Sequence, residues 1–120
     1  MVEYASEQLD AVFHALSDPT RRAMLQQLAE QECSIGELAA PFTMSLAAAS
    51  KHVRVLEGAG LVQRLVQGRT HRCRLNAEPL KSGVEWMRYY EQFWSQQLDA
   101  LEALLQAEDR ANGKSPQTKE

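Results

Sequence analysis

Leu9, Val12, Phe13 and Leu16 recur at intervals of three and four residues, which predicts an amphipathic helix from about Ser6 that ends before Asp18. Asp18-Pro19 predicts the next start. An aspartate side chain accepts from the first free amide groups of a helix, and proline costs nothing at the first helical position. Met24, Leu25 and Leu28 then form the inner face of that second helix. Ser34 and Glu37 are spaced as a capping box for a short third helix ending near Ala40, where Pro41 disfavours helical geometry. Residues 41–44 make the turn. Ser45 caps a fourth helix with Ala49, Val53 and Leu56 inside, and the run Ala47, Ala48, Ala49 lets its backbone approach a neighbour closely.

Beyond Gly58 and Gly60 the period changes from near four to two. Leu61 to Val66 and Thr70 to Leu75, separated by Gln67-Gly68-Arg69, predict a two-stranded hairpin with a basic tip. Alternation in the return strand places Thr70, Arg72 and Arg74 on one face, and Cys73, Leu75 and an inward, semi-buried His71 on the other. From about Gly83 to Ala107 the pattern is helical again, about 37 Å long at 1.5 Å per residue. Trp86, Tyr90, Phe93, Trp94, Leu98, Leu101 and Leu105 form its apolar stripe, too long for one small core to cover, so a second copy of the chain is expected against it. From Glu108 the composition turns to Asn, Gly, Lys, Ser, Pro, Gln and Thr, which predicts a disordered tail over 108–120 after a single domain over 1–107. The expected class is mainly α, about five helices plus a two-stranded wing.

Composition agrees with one domain: 120 residues, 44% of them hydrophobic, can close a modest core without metal or disulfide staples. No apolar run approaches a membrane span, and the opening residues carry Glu3, Glu7 and Asp10 where a secretory signal needs a cationic and then apolar stretch. A soluble cytoplasmic protein without membrane partners is expected. Cys33 and Cys73 have the spacing of neither a zinc knuckle nor a disulfide framework.

Charge sharpens the functional reading. Between Ser45 and Arg74, Lys51, Arg54, Arg64, Arg69, Arg72 and Arg74 face the single acid Glu57, a local formal charge of +5 in a chain of formal charge −3. Solubility needs no such segregation of sign, so one surface meeting a polyanion explains it better. A short helix, a turn and a small-residue helix followed by a basic hairpin point to DNA. Ser45 and the helix amides suit phosphate; Ala47 and Ala48 permit close contact with bases; Ser50, Lys51, His52 and Arg54 supply donors. Arg64, Arg69, Thr70 and Arg72 around the hairpin are expected to reach the adjacent backbone or minor groove. His52 has a second reading, a bond within its own domain. Of Arg21 and Arg22, at least one is expected in an intramolecular ion pair.

The chain resembles the ArsR/SmtB-type winged-helix repressors of bacteria. Leu16-Ser17-Asp18-Pro19-Thr20-Arg21-Arg22 is similar to that family's second-helix opening. Ser50-Lys51-His52-Val53 through Leu56, with Ala59-Gly60-Leu61-Val62, is similar to its recognition helix running into the first wing strand. With Gly68-Arg69 and the return strand, the likeness covers roughly residues 6–105. It implies a homodimeric repressor acting on a double-stranded operator, its first and last helices making the interface; Leu9, Val12 and Phe13 join the aromatic stripe as expected contacts. Metal-sensing members carry a Cys-x-Cys-type signature early in the third helix, where this chain has Ser34-Ile35-Gly36, and others bind zinc through His and carboxylates on the last helix, which here holds no histidine. The resemblance is therefore to the branch without metal sites. No metal or cofactor is expected, and the inducer is not named by any motif.

Remaining residues carry weaker readings. Cys33, just before the third helix, is a candidate thiol switch, with an inert, partly buried thiol as the commoner alternative. The Trp86 to Trp94 cluster suits dimer packing first and a small-molecule effector second. Catalysis finds no support, since there is no Ser-His-Asp set in motif context, phosphate-cradling glycine loop or metal-ligand cluster. The alternatives left open are a thiol-redox or metal-responsive repressor, and a dimeric protein-interaction module that does not bind DNA.

Overall fold

The computed structural model describes residues 2–113, with side chains from Glu7 onward. The elements are α1 (Val2–Leu16), α2 (Pro19–Glu30), β1 (Cys33–Ser34), α3 (Ile35–Ala39), α4 (Leu46–Gly58), β2 (Val62–Gln67), β3 (Thr70–Leu75) and α5 (Leu80–Ala111). They divide into two compact units, Met1–Val84 and Glu85–Glu120, with α5 beginning in the first and continuing in the second. The last helix is longer at both ends than its apolar period indicated. Residues 114–120 of the expected tail lie outside the described residues, while residues 108–111 are helical. α1 likewise starts four residues earlier than expected. Among the described residues no helix is long and apolar enough to cross a membrane.

Helix starts follow the expected caps. Asp18 accepts from the Arg21 amide at 3.1 Å ahead of Pro19, and Ser34 and Glu37 exchange both bonds of a capping box, at 3.1 and 2.8 Å. Ser45 accepts from the Ala48 amide at 3.1 Å and opens α4. Each such cap is worth about 1 kcal/mol.

The hairpin gains an unexpected strand. The sheet has three antiparallel strands in the order β1-β3-β2: the expected two-stranded hairpin is present, and a two-residue third strand lies along the middle of its return strand. Its register places Cys33 opposite Cys73 and Ser34 opposite Arg72. The opposite edge pairs Val62 with Leu75 and Arg64 with Cys73, ending at Gln67 opposite Thr70. The loop is thus the two residues Gly68-Arg69, and Gly68 adopts φ 62°, the positive φ that two-residue hairpin turns require at their first position. Asn76 ties the hairpin base to the end of α4 through its side-chain bond to Gly60 O at 2.9 Å and its amide bond to Leu61 O at 2.8 Å.

The core of the first unit draws Met24, Leu25 and Leu28 from α2, Leu38 from α3 and Ala49, Val53 and Leu56 from α4. Leu61, Val62 and Cys73 complete it from the sheet side, and all are buried. Burying one such aliphatic side chain stabilises the fold by about 1.5–3 kcal/mol, so this cluster fixes how α3, α4 and the wing are held.

Candidate nucleic-acid interface

With Ala49, Val53 and Leu56 committed to the core, the helical period turns Ala47, Lys51 and Arg54 outward; all three are exposed. Ala48 and Ser50 are half-buried at the edges of that face, and Ser45 is exposed at the helix start. Lys51 and Arg54 have no acidic partner among the described residues. Six of the expected DNA residues thus gather on or beside one face.

The wing divides the basic residues differently from the expectation. Arg69 and Thr70 are exposed at the hairpin tip, and Arg69 likewise has no acidic partner among the described residues. Arg64 sits opposite Cys73 on the inward side and forms a two-pronged bond with Glu57 of α4, Nε to Oε2 at 3.0 Å and Nη2 to Oε1 at 2.8 Å. Its charge is spent there, and the carboxylate holds its pKa above the usual guanidinium value despite opposing burial. Arg72 turns back to β1 and α3, donating to Glu32 O at 3.0 Å and lying 3.8 Å from the Glu32 and 4.0 Å from the Glu37 carboxylate. Arg74 donates to the Gln63 side chain at 2.9 Å. The charge count took Arg64 and Arg72 as available cations; Glu57, Glu32 and Glu37 occupy them.

His71 also departs from its expected inward position. It pairs with Val66 near the tip, beyond the core, and is exposed. Its Nδ1 lies 3.3 Å from Arg64 Nη1; a guanidinium can only donate, so Nδ1 accepts and the proton of the neutral ring sits on Nε2.

His52 takes the second of its two readings. It is half-buried, with Nδ1 3.3 Å from Arg21 Nη1, and the 3.9 Å to Asp18 Oδ2 is too long for a hydrogen bond. Arg21 is itself buried. Its Nε donates to Ala15 O at 2.8 Å and its Nη2 to His14 O at 2.9 Å, closing the C-terminal end of α1. Arg22 does the same with Leu16 O at 2.6 Å. The ion pair expected for one of these arginines is replaced by bonds to orphan helix carbonyls. Arg21 thereby joins α1 to the proposed DNA-reading helix, a positioning role the sequence did not reveal.

A family model described as a helix-turn-helix domain matches residues 16–64. The transcriptional repressor SdpR of Bacillus subtilis is 32% identical over 79 residues, covering 66% of this chain and 88% of that protein. Among solved structures, the ArsR family transcriptional regulator RHA00566 is 38% identical with a TM-score of 0.70, covering 75% of this chain and 93% of that one. The chain belongs to the ArsR family of winged helix-turn-helix transcriptional regulators. A third similar protein is the homodimeric winged helix-turn-helix DNA-binding domain Mb0332 of Mycobacterium bovis. It is 25% identical with a TM-score of 0.57, covering 72% of this chain and 82% of that one.

In this regulator both cysteines are buried free thiols on facing strand positions. Burial pushes the Cys33 and Cys73 pKa values up, the reverse of the environment that activates a thiolate. Among the described residues no group of three or more His, Cys, Asp and Glu is placed to hold a metal ion.

Within the second unit, α5 exposes Trp86, Tyr90, Phe93, Trp94, Leu98, Leu101 and Leu105, and adds Tyr89 and Leu104, which the sequence reading left out. Their spacing from Phe93 and Leu101, four residues before and three after, was the available signal. Trp86 and Tyr90 meet with their rings tilted by 54° at 4.9 Å between centroids, and Tyr89 meets Tyr90 edge-on at 5.0 Å. On α1, Leu9 and Phe13 are half-buried, but Val12 is fully buried within one chain and cannot belong to an interface. Val12 faces inward toward Gly83, where an added Cβ would meet its Cγ1 at 3.9 Å.

Proposed function

We propose that this ArsR-family regulator is a homodimeric repressor that binds a pseudo-palindromic operator in double-stranded DNA and is released by a signal. Each α4 lies in a major groove, the two about 34 to 36 Å apart, while the wing tip grips the neighbouring backbone. The observation that carries the reading is the outward row Ala47, Lys51 and Arg54 on a capped helix, in the same unit as a hairpin tip bearing the unpaired Arg69. A protein-interaction module has no use for three uncompensated cations so arranged. The apolar stripe of α5 supports dimerisation, as does likeness to a domain described as homodimeric. The regulator works by binding and release rather than by catalysis, in the cytoplasm where its DNA lies.

The test combines mass measurement at micromolar concentration with selection from random duplexes. A monomer that enriches no sequence is not this repressor. A finer test separates the two contact types. Arg69→Ala weakens binding to every duplex and lowers the salt slope by about one unit, whereas changes at Lys51 or Ala48 alter which sequence is preferred. Equal loss on operator and random DNA for both kinds of change refutes that division.

A further inference from the structure

Between α4 and the wing lies a cleft of about 550 Å³, a size that suits a small organic ligand. Its lining combines two chemistries. Ile35, Leu46 and Ala47 supply an apolar wall, and Leu46 is 61% exposed, an expensive place to leave a leucine. Arg64, Arg69 and His71 supply the polar side together with Ser50.

Counting charge narrows the ligand. Arg64 is neutralised by Glu57, so Arg69 is the one uncompensated guanidinium in the lining. His71, its Nδ1 occupied by Arg64, offers an Nε2 proton as a second donor. One planar acid group satisfies this set, because a carboxylate can meet the fork of an arginine with both oxygens. The apolar wall has nothing to offer a bare phosphate and instead fits a hydrocarbon body attached to that acid.

We propose that this cleft binds an amphiphilic organic carboxylate, aromatic or aliphatic, and that its occupation excludes DNA. The exclusion rests on the DNA-binding reading above: Ala47 and Ser50 of the proposed reader and Arg69 and Thr70 of the proposed clamp line the same cleft. A ligand there covers both contact surfaces at once, so release needs no change transmitted from elsewhere.

The test titrates the full isotope-labelled chain with 2-naphthoate and decanoate, using uncharged 2-naphthylmethanol and inorganic phosphate as controls, and follows backbone amide shifts. Both carboxylates are expected to move the amides of Ala47, Ser50 and Thr70 saturably, with the controls far weaker. Arg69→Ala reduces carboxylate affinity on the order of tenfold. Leu46→Asp abolishes it and Leu46→Met retains it; Leu46 is an exposed first-turn residue, so all three chains fold. The proposal is overturned if neither carboxylate moves those amides, if shifts fall only on residues 85–105, if phosphate binds equally well, or if Leu46→Asp binds unchanged. A labelled selected duplex supplies the second arm, its apparent affinity falling in proportion to cleft occupancy. Simultaneous binding of duplex and carboxylate refutes the exclusion while leaving DNA binding intact. If no duplex is bound at all, the repressor reading fails, and with it the exclusion, while the amide shifts still decide the cleft.

Discussion

Replacing Arg21 with methionine keeps much of the aliphatic stem but deletes three donors from a side chain that is 8% exposed. Two of those donors meet carbonyls at the end of α1, Ala15 O at 2.8 Å and His14 O at 2.9 Å, and the third meets His52 at 3.3 Å. Bonds made by a charged donor contribute about 1.5–3 kcal/mol each, and relief from burying the guanidinium offsets part of their loss. The expected net destabilisation is about 3 kcal/mol. For a chain of this size that lowers the melting temperature by roughly 12 °C, at about 4 °C per kcal/mol. Arg21→Lys, whose single ammonium lacks the fork, is expected to lose about half as much. Urea and thermal unfolding at fixed protein concentration measure both. A second readout separates positioning from direct contact: the salt slope of duplex binding stays unchanged in Arg21→Met, because the residue meets no phosphate. Arg21→Met within 0.5 kcal/mol of the parent, or a slope reduced by one unit, refutes the assignment.

Asp18 carries the acid sensitivity of the α2 start. The Arg21 amide bond chiefly holds its pKa below the ordinary carboxylate value, with His52 and the Arg21 charge helping against burial. A depressed folded pKa means stability that is present above the unfolded value and lost as pH falls through the folded one. Asp18→Asn should therefore flatten the stability profile below about pH 4 in acid titrations followed by circular dichroism; an unchanged profile counts against this cap. The buried thiols of Cys33 and Cys73 should react slowly with iodoacetamide at pH 8 in the native state and rapidly in urea, and fast native labelling would show that one of them is activated. Leu98 is 65% and Leu104 68% exposed in one chain, so Leu98→Asp with Leu104→Asp should leave the chain folded but monomeric by light scattering, whereas Val12→Asp should unfold it. A folded dimer in the first case removes the α5 stripe from the interface.

What the sequence determined by itself were features whose causes lie within a few residues. Asp18-Pro19, the Ser34 to Glu37 box and Ser45 each start a helix through a bond spanning three positions, and the change of period after Gly60 marks the hairpin. The outward face of α4 was equally legible, because three inward residues at helical spacing leave Ala47, Lys51 and Arg54 no other direction. The third strand was not legible: two residues have no period, and Cys33-Ser34 becomes a strand only because β3 returns beside it. Nor could charge counting tell the free Arg69 from Arg64 and Arg72, whose acids lie 7 and as far as 40 positions away and meet them only in the fold. Val12 and Arg21 followed the same rule. Apolar or basic character is a property of a residue, but whether that surface or charge is still available depends on its neighbours, which only the tertiary structure supplies.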